Sequence, residues 1–437
     1  MRTLAIALLV ALPAAAWANG RPPATNGVFF RAGDNQSIYV RTTFGLLISH
    51  DDGCHFNWVC EQNIGYNGSF DPKYVIAKDG TIFATTFSGL RVSHDGGCSF
   101  ATATAELPTG DANRIADKWI DALDIGPTGE IWVGTSDNGL PNDVYFSTDG
   151  GVTFSHKGMQ SPTIFWKSVK IAPADPKRIY ISGYQVAGTL PDGGAMSPTA
   201  HFLHSDDDGA TWSESAMAGV MFGSTPIVYA VAVDPTNKDI VFMMSLGANP
   251  PSGDRLYRST DAGVTFTEVL ASTQPILDVV IRDANTVAVA TGAGGSYLST
   301  TGGASFTPMA NPPQLGCLGQ RGDGQLIGCG ANWEPDFKAV DRSTDAATWS
   351  KVFRFVELDG PLACAAGTAE QDTCAPLWPG LRDQFGATGS TCGFAPDTVE
   401  PEPAKKSGGC CDAGDGGPMG MLIALGIGGL VLRRRRS

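Results

Sequence analysis

Apolar residues in this chain fall into short runs, each broken by Gly, Pro, Asp or Asn. Residues 121–125 read as one strand, Gly126-Pro127-Thr128-Gly129 as a turn, residues 130–135 as a second strand, 144–147 as a third and 153–157 as a fourth. The same frame fits residues 167–172 with 178–183, and 229–233 with 239–244. Turns such as Ala174-Asp175-Pro176-Lys177 and Asp234-Pro235-Thr236-Asn237 supply the fixed φ of proline and the side-chain acceptor of aspartate that hairpins use. The pattern predicts successive sets of four antiparallel strands.

One octapeptide of the form Ser-x-Asp-x-Gly-x-(Thr/Ser)-aromatic recurs between the third and fourth strands. It begins at Ser49, Ser93, Ser147, Ser205, Ser259, Ser299 and Ser343, at spacings of 44, 54, 58, 54, 40 and 44 residues. Each spacing is the length of one four-stranded propeller blade. The copies place Asp51, Asp95, Asp149, Asp207, Asp261 and Asp345 at the acidic position; the sixth has Thr301 there, and the seventh lacks its Gly and is one residue short. Such an Asp accepts backbone N–H groups of its own turn, the Ser hydroxyl adds a bond, Gly supplies a φ > 0 position, and the aromatic residue packs between strands. These aspartates are therefore read as structural. The fold class is all-β: a seven-bladed β-propeller over residues 28–358.

The boxes and the D-P-x-x turns resemble those of the Asp-box (BNR) superfamily, which includes sortilin-type receptor propellers, photosystem II assembly-factor propellers, sialidases and xyloglucan-cleaving endoglucanases. The resemblance implies the fold and leaves the function open. Family sialidases use an arginine triad whose first member sits in F-R-I-P; Phe30-Arg31-Ala32-Gly33 matches only the first two residues. Asp121 and Asp124, three apart in a strand, make a poor glycosidase pair. No catalytic residue is assigned.

The two ends carry separate signals. Arg2, the apolar run from Leu4 to Leu12 and Ala16-Trp17-Ala18 make residues 1–18 a cleavable signal peptide. Residues 359–395 hold Cys364, Cys374 and Cys392, with a short helix expected around 376–385, and residues 396–417 read as a flexible spacer. Residues 418–437 combine a fourteen-residue apolar run, Met419 to Leu432, with Arg433 to Arg436. That run reaches only about 21 Å as a helix, short of a bilayer core of about 30 Å. Together with Cys410-Cys411 it resembles the myxobacterial C-terminal sorting tail, which implies processing near those cysteines, delivery to the cell surface, and anchorage by a membrane helix at least transiently.

Export makes disulfides plausible for the ten cysteines. Cys317 and Cys329 stand symmetrically about Gly322-Asp323-Gly324, so a hairpin turning there sets them opposite each other. Cys54, Cys60 and Cys98 fall in the first two repeats, and the pairing of these three with the tail cysteines stays open. No C-x2-C pair is present and the six histidines are scattered, so no metal or other cofactor is expected. A net charge of −14 with pI near 4.8 argues against a nucleic-acid partner.

Where the first strands begin, Trp119-Ile120-Asp121, Phe165-Trp166-Lys167 and Val228-Tyr229 occupy matching positions in blades three, four and five. Trp119, Asp121, Trp166, Lys167 and Tyr229 are the candidate ligand contacts at one rim of the channel, beside an insertion over residues 185–201. The resulting reading is a non-enzymatic binding or scaffold module, exported and displayed on the cell surface, for a protein or glycan. The alternative is an extracellular glycoside hydrolase, sialidase-like or endoglucanase-like.

Overall fold

A computed structural model of the protein describes residues 21–67, 70–189, 194–390 and 392. Within it, seven antiparallel sheets each contain four consecutive blade strands. Their first strands are Thr25–Phe29, Tyr74–Ile76, Ile120–Ile125, Ile164–Ile171, Val228–Val233, Asp278–Ile281 and Cys317–Gln320. Each packs against the first strand of the next sheet, and the seventh packs against the first, which closes a ring around a central channel. The protein is a seven-bladed propeller.

The core lies between blades, because strand alternation gives every sheet two buried faces. Second strands such as Ile82–Thr86 and Ile131–Thr135 are buried at every residue. Fourth strands shrink to two residues in four blades, as in Ser155–His156 and Ser213–Glu214, where the box turn occupies the start of the segment.

Among the described residues no strand is exchanged between the seventh and first blades; each is built from its own consecutive strands. The segment after the last blade holds the ring instead. Gly360–Pro361 adds a parallel fifth strand on Asn57–Val59. The chain then passes through a π turn at Glu370–Cys374 into the helix Trp378–Phe385. Disulfides Cys60–Cys374 and Cys98–Cys364 fasten this segment to the first two blades, and Cys54 and Cys392 are each disulfide-bonded as well. Cys317 and Cys329 are cross-strand partners joined by a disulfide.

The expected leader (1–18), the whole spacer (396–417) and the segment containing Cys410, Cys411 and the terminal arginines lie outside the described residues. Among the described residues no helix is long and apolar enough to cross a membrane. In the fourth-blade insertion Gly188–Thr189 pairs with Ala195–Met196, and residues 190–193 lie outside the description.

Candidate binding site

The chemistry at the channel starts from a register slip. Opposite Gly134 and Thr135, the first strand of blade three carries one extra residue, Asp121, between Ala122 and Ile120. Blade four repeats the slip, with Lys167 extra between Trp166 and Ser168. A bulge re-aims its side chain, and here the two re-aimed side chains meet as an ion pair. Lys73, from blade two, completes the group: its Nζ donates to Asp121 Oδ1 at 3.1 Å, to the Asp121 carbonyl at 2.5 Å and to the Lys167 carbonyl at 3.1 Å. Tyr229, from blade five, lies with its ring 5.8 Å from Lys73 Nζ.

Four blades thus converge on one carboxylate. Burial alone would raise the Asp121 carboxyl, but the Lys167 and Lys73 charges outweigh it and hold it below the ordinary range. Desolvation lowers Lys73, with Lys167 acting in the same direction and Asp121 against it. Desolvation also pushes the Tyr229 hydroxyl up to about 12. All three N–H bonds of Lys73 are used inside the group, which links blades two, three and four and offers no free amine.

Aromatic rings flank this end. Lys167 Nζ sits 5.2 Å from the Trp119 ring centroid. Trp119 packs on Phe87 at 4.8 Å, and Phe87 on Phe70 at 4.6 Å. Phe87 is 49% exposed although it is a large apolar side chain. It comes from the turn joining the second and third strands of blade two, which the comparison of first strands could not reach. Trp166 corrects the sequence reading. It is buried against Ala122 and Trp132 between blades three and four, because the bulge turns Lys167 to the channel and leaves its neighbour in the interblade layer.

Away from this group the channel widens into a cavity of about 890 Å³ that reaches the turns between first and second strands. Lys78, Pro127, Pro173 and Gly322 on those turns are exposed. Two carboxylates line it. Asp124 Oδ2 accepts the Ile171 N–H at 2.9 Å while its Oδ1 lies 3.8 Å from Lys170 Nζ; Asp278 Oδ2 accepts the Leu318 N–H at 3.0 Å. Burial raises both, Asp278 to about 6. Arg31 donates to the Lys78 carbonyl at 2.8 Å.

The boxes share one geometry. In the third, Ser147 Oγ donates to Asp149 at 2.7 Å and accepts the Gly151 N–H at 3.0 Å, while Asp149 accepts the Thr153 N–H at 2.9 Å. The same links recur at Asp51, Asp95, Asp207 and Asp261. Thr301 takes the place of Asp with its hydroxyl accepting the Ser305 N–H at 3.1 Å, and the shortened seventh box sets Ala346 at φ 61° with Asp345 accepting Thr348. The chain is a β-propeller with one such turn in each of its seven blades. The box aromatics of the propeller pack between blades: Phe154 joins Phe83 of blade two, and Phe266 meets Phe202 of blade four at 5.0 Å.

No protein-family model matches the propeller's sequence. A stretch of 153 residues is 30% identical to the xyloglucanase Xgh74A of Acetivibrio thermocellus, covering 34% of this chain and 15% of that one. The chain thus spans about a seventh of the length of that relative. Among solved structures, a puromycin hydrolase S511A mutant aligns with TM-score 0.51 at 12% identity, over 77% of this chain and 54% of that one. YCF48 from Cyanidioschyzon merolae aligns at 0.46 and 14%, over 70% of this chain and 92% of its own.

Among the described residues, two groups of potential metal ligands gather, Asp51 with Cys54 and His55, and Cys60 with Glu370 and Cys374. In both, the cysteines are disulfide-bonded and have no thiolate to give a metal.

Proposed function

We propose that this propeller is a non-enzymatic binding or scaffold module, exported and held at the cell surface, whose protein or glycan ligand docks on the face formed by Phe70, Phe87 and Trp119. The half-exposed Phe87 ring carries this reading. It is held rigid by two aromatic neighbours beside the Lys73–Asp121–Lys167 group, and a fixed aromatic surface next to a charge suits either a sugar face or a peptide anchor. A glycan and peptide array probed with the purified protein and with Phe87→Ala tests it. Ligands retained by the native chain should be lost by the variant, and equal retention by both rejects this face.

Surface display is part of the same proposal and rests on the leader and on the Cys410-Cys411 tail. Cells expressing Cys410→Ala/Cys411→Ala should retain a folded propeller with an uncut Arg433 to Arg436 terminus, read by fractionation and C-terminal mass spectrometry. Normal display and trimming of that chain would refute the sorting role.

A second reading, an extracellular glycoside hydrolase, is favoured by the stretch similar to a xyloglucanase and by two carboxylates with raised pKa in one cavity. Release of reducing ends from xyloglucan at enzyme-like rates, lost in Asp278→Asn, would establish it.

A further inference from the structure

The whole chain carries 30 Lys and Arg against 44 Asp and Glu. The central cavity inverts that balance: Arg31, Arg41, Lys73, Lys78, Lys167 and Lys170 line it, against Asp124 and Asp278 alone. Counting Asp121, which is already bound by two of the lysines, still leaves six cations facing three carboxylates. Several of these charges are poorly neutralised. Arg41 donates to the Asn26 side chain and carbonyl and to the Pro72 carbonyl, with no carboxylate partner among the described residues. Lys78 makes no ion pair among those residues, and Lys170 stands 3.8 Å from a carboxylate that also serves a backbone amide. The charges also converge: the Asp278 carboxyl of blade six is influenced by both Arg41 of blade one and Lys170 of blade four.

Between the charges the walls are aliphatic. Val75, Ile125 and Val231, each half-buried, line the cavity. Volume, walls and charge together describe a ligand. About 890 Å³ lies within the range of small-molecule sites, roughly 300–1,000 Å³. Branched aliphatic walls favour an apolar body over a sugar, which needs flat aromatic faces and dense hydrogen bonding. Lys73 and Lys167 add ammonium groups to the lining beside Asp121.

We propose that the central cavity binds a small aliphatic carboxylate, its chain against the valine and isoleucine walls and its charged head among Arg41, Lys167 and Lys170. The site is the channel cavity, whose lining includes none of Phe70, Phe87 and Trp119. Its failure would leave the Phe87 reading untouched, and the Phe87→Ala variant should keep it.

Calorimetric titration of the full chain with octanoate, octanol and inorganic phosphate tests the proposal. One octanoate should bind per chain, at least tenfold tighter than octanol or phosphate, and more weakly as salt rises. Lys170→Gln should weaken octanoate at least fivefold. Val231→Asp, which places a negative charge on a half-buried wall position, should abolish it; a thermal melt of each variant confirms folding. Octanol binding as tightly as octanoate, no octanoate binding, or wild-type affinity in both variants would overturn the proposal.

Discussion

Cys60 and Cys374 lie 314 residues apart in sequence, yet a disulfide holds their Cα atoms 5.4 Å apart. This bond and Cys98–Cys364 tie the segment beyond the last blade to the first two blades, beside the short parallel strand that the segment adds to blade one. The joint has other contributors. Asp52 of blade one pairs with Arg342 at 2.9 Å and with Arg321 of blade seven, and Phe56 packs on Phe353 at 4.6 Å.

Cys60→Ser/Cys374→Ser should therefore lower stability by about 2–5 kcal/mol, since the bond closes a very long loop in the unfolded chain. Urea melts of native and variant protein measure this. Loss of the Cys317–Cys329 bond, which closes a separation of only 12 residues, should cost less. Equal losses would show that strain or residual unfolded structure, and not loop closure, dominates.

Gly151 has φ 84°, and a Cβ there would lie 2.5 Å from the buried Phe83 ring. Gly151→Val should cost about 3 kcal/mol, combining a strained backbone with overpacking. Gly150, at φ 74° with open space around its Cβ, pays only for backbone strain, so Gly150→Ala should cost about 1 kcal/mol. Thermal melts that fail to separate the two would remove the Phe83 clash as the cause.

Among the buried acids raised by desolvation, the largest shifts take Asp278 to about 6, Glu370 to about 7 and Asp341 to about 8. The folded chain holds these protons more tightly than the unfolded chain, where the groups titrate near 3.8 and 4.5. Their contribution is full below about pH 4 and is lost as pH rises through 6 to 8. The box aspartates act oppositely: backbone hydrogen bonds hold Asp207 and Asp345 at about 2, so their contribution is lost as pH falls below 4. Stability measured by urea melts should peak in mildly acidic buffer and decline toward pH 8. Asp341→Asn, which removes a buried carboxyl with neither oxygen bonded, should flatten the decline between pH 6 and 8. An unchanged slope would mean that the Asp341 proton is not linked to folding.

Asp121→Ala leaves Lys73 and Lys167 without their shared carboxylate in a largely enclosed site, and should cost about 3–5 kcal/mol. Adding Lys167→Met should recover part of the loss, because one of the stranded charges goes with it. A double-mutant cycle reads the coupling, and strict additivity would contradict a shared group.

Much of this was legible in the sequence, because the chemistry that announces it is local. A box closes within five residues, from Ser147 to Gly151 and from Asp149 to Thr153, so seven copies at blade spacing fix the number of sheets and their order. The Cys317–Cys329 pair is likewise one hairpin's register. Pairing of Cys60 and Cys98 with the terminal segment was not legible, since ring closure brings residues together irrespective of their distance along the chain. The site was legible in part: Asp121, Lys167 and Tyr229 come from matching strand positions, whereas Lys73 joins them through a long side chain from a neighbouring blade, and Phe87 reaches Trp119 from a turn in blade two. Trp166 shows the limit most directly. Sequence places it one residue from Lys167, and a single bulge sends the lysine to the channel and the tryptophan into the core, because alternate side chains on a strand face opposite sides and only the register between strands decides which.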